Sequence, residues 1–316
     1  MQLVTIDDIR AAAQRIRGHI VRTPLVPAPW GDPERPLWVK PESLQPIGAF
    51  KVRGAFNALT AVREQPGEVT DVVAYSSGNH AQAVAYAAAT FGMRAHIVMP
   101  EETPEVKVAA TRAHGARVVL CGAGQREAVA AEVVADTGGV MIPPFDHRDI
   151  IAGQGTIGLE IAEDLPSVAT VLVPVSGGGL ASGIGVAIKA LCPSAVVLGV
   201  EPELAADTAE GLRTGERVDW PVTLRNRTVA DGLRSQPSEL TFTHLRAVLD
   251  DIVTVTEDQI LSAVSEFAYR GHLVAEPSGA VSLAAYRHHS TPPGPTAVIL
   301  SGGNIEPRLL ARTLAD

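Results

Sequence analysis

Short runs of β-branched and aliphatic residues alternate with longer, Ala-rich amphipathic stretches along most of the chain. The runs Val72–Tyr75, His96–Met99, Arg117–Leu120, Val140–Ile142, Thr170–Val175, Val196–Val200, Ile252–Val255 and Ala297–Leu300 predict strands. The intervening stretches near 80–91, 105–114, 125–137, 148–164, 180–191, 257–271 and 306–314 predict helices. Thr5, just ahead of Asp7 and Asp8, predicts the N-cap of an opening helix. This alternation predicts an α/β fold with parallel-type sheets and helices on both faces. Functional groups in such folds gather beyond the C-terminal ends of the strands. No linker divides the chain, so any two domains are interleaved.

Composition narrows the possible partners. The chain has 316 residues, 46% hydrophobic and 19% charged, with a formal net charge of −9. That composition excludes disorder, and the acidic balance argues against phosphate-backbone binding to nucleic acid. The uncharged run from Val168 to Ile188 is long enough to cross a bilayer, but Pro174 and Gly177–Gly179 interrupt it. It reads as strand, tight loop and helix, and no membrane segment is expected. The N-terminus lacks the apolar core of a signal peptide. Cys121 and Cys192 form no CxxC pattern, which disfavours a disulfide framework and points to a reducing, cytoplasmic setting.

Candidate chemistry lies at the strand ends. Ser176-Gly177-Gly178-Gly179-Leu180 follows one strand and opens a helix, a combination that can cradle a phosphate on backbone N–H groups. Its plain alternative is a tight strand-to-helix turn. Glu201 ends the next strand, 24 residues after Gly177, near a dinucleotide-type spacing, but the GxGxxG pattern fails at Ser182. Two further strand ends read Ser76-Ser77-Gly78-Asn79-His80 and Ser301-Gly302-Gly303-Asn304. Of 26 basic residues only Lys40, Lys51, Lys107 and Lys189 are lysine. A lysine can lose its proton and form a Schiff base, whereas an arginine cannot. Lys51, between Phe50 and Val52, is the best placed to be desolvated. A lysine amine, a phosphate cradle and Ser/Asn-rich strand ends together suit pyridoxal phosphate.

The ordered motifs PESLQPIGAFKVRGAFNAL, SSGNHAQAVAYAA, PVSGGGLASG and LSGGN give the chain its family likeness. It resembles the fold type II (β-family, tryptophan synthase β-like) pyridoxal-phosphate enzymes, in the branch of threonine/serine dehydratases and serine racemases. The resemblance implies two open parallel-type sheets. A large cofactor domain would comprise 1–66 plus 147–316, and a small mobile domain 67–146. It implies Lys51 as the Schiff-base lysine, with Phe50 beside the cofactor and Asn79 on the ring hydroxyl. Gly177, Gly178, Gly179 and Leu180 would hold the phosphate, and Ser301 would face the ring nitrogen. Glu276 falls where the family has an active-site acidic residue. The loop Ser76, Ser77, Gly78, Asn79 and His80 would grip the substrate carboxylate. Ser77 stands where racemases carry a second acid/base group.

Further family expectations are a divalent cation, Mg²⁺ or Ca²⁺, on Glu201, Asp207 and the Ala205 carbonyl, and a homodimer. No C-terminal regulatory domain is expected. Two positions depart from the common Thr-Gly-Ser-Phe-Lys pattern, since Ile47 and Ala49 replace the hydroxyl residues before Lys51. The expected activity is β-elimination from a 3-hydroxy amino acid, L-threonine or L-serine, to a 2-oxo acid and ammonium. The nearest alternative is a serine or hydroxyaspartate racemase, or a 3-hydroxyaspartate dehydratase, on the same scaffold. A dinucleotide oxidoreductase and a non-catalytic binding paralogue are the readings from other classes.

Overall fold

The computed structural model describes residues 2–315; the outermost positions of the expected large domain, 1 and 316, lie outside them. Among the described residues ten strands run in chain order: β1 Val26–Asp32, β2 Arg35–Pro41, β3 Asp71–Tyr75, β4 Arg94–Pro100, β5 Arg117–Cys121, β6 Val140–Met141, β7 Thr170–Pro174, β8 Val196–Pro202, β9 Asp251–Val255 and β10 Thr296–Leu300. They form a six-stranded sheet, β1-β2-β10-β7-β8-β9, and a four-stranded sheet, β5-β4-β3-β6. Every pairing is parallel except β1 with β2, an antiparallel edge hairpin. The central strands β7 and β10 are buried along their whole length, as a sheet covered on both faces requires.

All eight expected strands are present within a residue or two. The edge hairpin is an addition. Its sequence, VPAPWGDPERPLWVKP, carries prolines that break the usual strand pattern; Pro27 and Pro29 lie on β1, at the sheet edge, and Pro36 and Pro41 fall at or next to the ends of β2. The helix Pro277–His288 is also new. Every residue from Pro277 to Tyr286 is buried, so it shows no polar stripe for a periodicity argument to find. The helix Glu239–Val248 is a third addition, opened by a Ser238/Thr241 capping box. At the N-terminus, Thr5 caps the helix Ile6–Arg15 as expected. Its hydroxyl accepts the Asp8 N–H at 3.3 Å, and the Asp8 carboxylate accepts the Thr5 N–H at 2.8 Å.

The uncharged run 168–188 divides into β7 and the helix Gly179–Leu191. Among the described residues no helix is long and apolar enough to cross a membrane.

A charged cluster lies inside this apolar frame. Arg53, fully buried on the helix Lys51–Arg63, makes paired bonds to Glu42 at 2.7 and 2.8 Å. It also bonds Glu160, on the helix Arg148–Asp164, at 2.7 and 2.9 Å. Lys40, from β2, donates to the same Glu160 at 2.6 Å and to the Thr23 carbonyl at 2.6 Å. Two cations and two carboxylates cancel, which is the condition for keeping charge in a core. The cluster fixes the helix that begins at Lys51 against β2 and the helix Arg148–Asp164.

Candidate active site

The C-terminal ends of β3, β7 and β10 open onto one cavity of about 230 Å³. Its lining includes Phe50, Lys51, Ser76–His80, Ser176–Leu180, Glu276, Ser301 and Asn304. Fold and cavity thus bring together every expected lysine, phosphate-loop and substrate-loop residue.

Backbone stitching places Lys51. The Phe50 N–H donates to the Ser301 carbonyl at 3.0 Å, and the Gly303 N–H donates to the Gly48 carbonyl at 2.9 Å. The segment before Lys51 is therefore clamped to the end of β10. The Lys51 Nζ donates to the Pro144 carbonyl at 2.8 Å and lies 5.1 Å from the centre of the Phe50 ring. It has no carboxylate at ion-pair distance among the described residues. Burial lowers its pKa from 10.5 to about 8. That is about 3 kcal/mol in favour of the neutral amine.

The glycine loop has the geometry of an anion cradle. Gly178 has φ +87°, a left-handed conformation that a side chain disfavours. The loop delivers the N-terminus of the helix Gly179–Leu191, whose first N–H groups lack intrahelical partners. Phe145 packs against Gly177 and Gly179. The Ser176 hydroxyl is committed elsewhere, accepting from the Ser235 N–H and donating to the Ser235 carbonyl, each at 3.0 Å.

On the opposite side, Asn79 donates to Glu276 Oε1 at 2.7 Å. Asn304 donates to Asn79 Oδ1 and to the Ile47 carbonyl, both at 2.8 Å. Burial, with help from nearby Asp231, pushes the Glu276 carboxyl up to about 7. Ser301 is buried, and its hydroxyl reaches the Ser278 carbonyl at 3.4 Å, long enough to leave it available to another partner. In the serine loop, Ser76 Oγ accepts the Gly78 N–H at 3.2 Å, while Ser77 lines the cavity. His80 belongs to the loop expected to grip the substrate carboxylate; its ring Nε2 engages the Ile142 carbonyl at 2.8 Å. Burial, then the charge of Lys51, drives its pKa down to about 3, so the ring is neutral. What the His80 region offers the cavity is backbone N–H at the start of the helix Asn79–Thr90.

Lys107 pairs with Asp231 at 2.6 Å across the cavity wall, joining the two halves of the chain. Neither Pro144 nor Asn304 had been given a role from sequence. The signal for Asn304 was its place in the LSGGN motif, but its partners are distant in the chain.

The expected cation residues form a separate pair at the end of β8. Glu201 accepts the Ala209 N–H at 2.8 Å and the Thr208 N–H at 3.3 Å. Burial, then the neighbouring Asp207, raises Glu201 to about 8, and burial raises Asp207 to about 6. Asp207 Oδ2 is buried without a hydrogen-bond partner. No group of three or more His, Cys, Asp or Glu side chains is assembled for a metal among the described residues.

A family model described as pyridoxal-phosphate dependent enzyme matches residues 16–302. The chain belongs to this family. The L-threonine ammonia-lyase of Geobacter sulfurreducens is 41% identical over 312 residues, covering 96% of this chain and 76% of the relative. A serine racemase of Oryza sativa subsp. indica is 37% identical over 323 residues, covering 98% and 93%. The structure of maize serine racemase matches with a TM-score of 0.91 at 36% identity, covering 99% of this chain and 98% of that one. The fold is that of the fold type II enzymes. Pyridoxal phosphate is therefore the cofactor against which the site must be judged, and its residues fit. A half-buried amine with no carboxylate partner among the described residues faces a cavity that also holds an open helix N-terminus and a buried hydroxyl.

Proposed function

We propose that this protein is an ammonia-lyase that removes ammonia from a 3-hydroxy amino acid, L-threonine or L-serine, to give a 2-oxo acid. One observation carries the reading: the Lys51 amine sits in the cavity wall with its pKa lowered to about 8 and a carbonyl as its polar partner. Its family and its threonine ammonia-lyase relatives support the reading.

Bound pyridoxal phosphate would supply a carbonyl that captures amines and a ring that withdraws electrons from the substrate Cα. Gly177, Gly178, Gly179 and Leu180 would hold its phosphate on backbone N–H groups. Phe50 would pack against it, Asn79 would donate to its ring oxygen, and Ser301 would face its ring nitrogen. A hydroxyl there leaves that nitrogen unprotonated and the ring a weaker electron sink, which suits loss of a β-hydroxyl. Ser76, Ser77, Gly78, Asn79 and the His80 backbone would hold the substrate carboxylate. Lys51 Nζ would take the Cα proton as the β-hydroxyl leaves as hydroxide, the two together making one water. The water lost in this step is regained in hydrolysis, so the net product pair is 2-oxo acid and ammonium.

Residues 67–146, which carry the four-stranded sheet, would close on the rest of the chain as a unit. The Lys107–Asp231 pair spans that closure. A Mg²⁺ or Ca²⁺ ion on Glu201, Asp207 and the Ala205 carbonyl would give the unpartnered Asp207 oxygen a ligand role. A cytoplasmic homodimer completes the reading, supported by the two free cysteines and by exposed Leu44, Tyr269 and Val274.

The second reading is a serine or hydroxyaspartate racemase, or a 3-hydroxyaspartate dehydratase, which the serine racemase relatives favour; the Ser77 hydroxyl lines the cavity but suits lyase and racemase alike. Incubation with L-serine, L-threonine and 3-hydroxyaspartate, with 2-oxo acid and chiral analysis in parallel, separates them. Release of 2-oxo acid faster than appearance of the D-amino acid supports the lyase; the reverse order contradicts it.

A further inference from the structure

The amide of Asn79 is oriented by a one-way hydrogen-bond chain. Its starting point is the backbone carbonyl of Ile47, which can only accept. Asn304 must therefore turn its Nδ2 toward Ile47, at 2.8 Å. The second Nδ2 proton goes to Asn79, 2.8 Å away, which must present its oxygen. Asn79 Nδ2 then faces Glu276 Oε1 at 2.7 Å. A reversed Asn79 would set two N–H groups against each other on the Asn304 side. The choice of O and N follows from the Ile47 end of the chain, because a backbone carbonyl can only accept.

Two local features make room for it. A Cβ at Gly302 would lie 2.3 Å from Glu276 Oε1, so only glycine there admits the carboxyl to Asn79. Gly48 has φ +72°, and a Cβ on it would lie 2.6 Å from the Asn304 side-chain oxygen. Asn304 thus sits directly over the turn that leads into Lys51. With its oxygen taken by Asn304 and one proton by Glu276, Asn79 has a single N–H left. Asn79 and Asn304 both line the cavity.

We propose that Asn304 is a positioning residue: it reads the Ile47 carbonyl and thereby holds the remaining Asn79 N–H as a donor aimed into the cavity, at the oxygen substituent of the cofactor ring. This rests on the cofactor assignment above. It also links the geometry of the Lys51 turn to that of the ring donor, since Asn304 bonds both segments.

The test compares Asn304→Asp, Asn304→Ala, Asn79→Ala and the double variant Asn304→Ala/Asn79→Ala. Each is first checked for folding by circular dichroism and thermal melting. Pyridoxal phosphate is then titrated into the cofactor-free protein, and affinity and the pH titration of the long-wavelength absorbance are read. Replacing Asn304 by aspartate keeps the shape but removes both donors, and it draws the Asn79 NH₂ toward itself. Asn304→Asp should therefore be worse than Asn304→Ala, which should weaken cofactor binding about three- to tenfold. Both should shift the absorbance titration. In the Asn79→Ala background the Asn304→Ala change should have no further effect, because a residue acting through Asn79 is non-additive with it. Wild-type-like binding and titration in Asn304→Asp would overturn the proposal, as would full additivity in the double variant. Borohydride reduction of the wild-type protein separates the two levels: no cofactor adduct on Lys51 refutes the cofactor assignment and this inference with it. An adduct accompanied by an indifferent Asn304→Asp refutes the inference alone.

Discussion

Lys40 and Lys51 are eleven positions apart, and both side chains are withdrawn into the protein, yet their surroundings prepare them for opposite tasks. Burial pulls both pKa values down. At Lys40, Glu160 and Glu42 pull back, and Arg53 completes a cluster with no net charge. At Lys51 nothing pulls back: its polar contact is the Pro144 carbonyl and its neighbour His80 is a neutral ring. A buried lysine with carboxylate partners is structural. One without them can lose its proton, and that loss precedes any chemistry at the nitrogen. Lys40 is fully buried and Lys51 only half-buried at the cavity wall, but what sets their chemistry apart is the counter-charge, which Lys51 lacks among the described residues.

The largest expected effect separates the lysines by activity. Lys51→Ala should lower 2-oxo acid release by about 10³-fold or more, the scale of a lost general base. Lys40→Met should retain a measurable rate in the fraction that folds. An unchanged rate in Lys51→Ala would end the contrast.

Next comes stability. Lys40→Met or Glu160→Gln leaves a buried charge uncompensated and should cost about 3–5 kcal/mol in urea unfolding. Lys51→Met removes no ion pair and should leave stability within about 1 kcal/mol of wild type. Equal losses at the two sites would mean that Lys51 also has a structural partner.

The pH dependence sharpens the same point. Covalent attachment of pyridoxal phosphate to cofactor-free protein needs the neutral amine, so its rate should rise with pH to a midpoint at about 8. A midpoint near the free-lysine value of about 10.4 would show Lys51 to be solvated. His80 gives a smaller effect on the acid side. Its folded pKa, about 3, lies below its ordinary value of 6.5, so folding favours the neutral ring. The stability it contributes is present above 6.5 and is lost as pH falls toward 3. His80→Asn should flatten part of that decline in a urea-midpoint series.

The smallest expected effect concerns Glu201 and Asp207, whose raised pKa values have the opposite sign. Their contribution to stability is present below the ordinary carboxyl range and is lost as pH rises through about 6 and about 8. Ca²⁺ or Mg²⁺ should raise the melting temperature by a few degrees at the alkaline end, and Asp207→Asn should remove the rise. A melting temperature indifferent to both ions would remove the cation from the account.

The two lysines also show how much the sequence discloses. Lys51 could be picked out because it is one of few lysines and lies in a Gly-rich turn within a motif of known order. The strand runs, the triglycine bend and the N-terminal cap were legible for a similar reason, since each is written in neighbouring residues. Lys40 was not legible, because Glu160 and Glu42 give it meaning only through tertiary contact. The same holds for the Pro144 carbonyl on Lys51 and for Asn304 on Asn79. The hairpin β1–β2 and the helix Pro277–His288 escaped detection because edge prolines and uniform burial erase periodicity.

The most direct test is borohydride reduction of the protein with bound pyridoxal phosphate, followed by peptide mass mapping of all four lysines. The account predicts a stable phosphopyridoxyl adduct on the Lys51 peptide, with Lys40, Lys107 and Lys189 unmodified. An adduct on another lysine, or none after saturating cofactor, would contradict it.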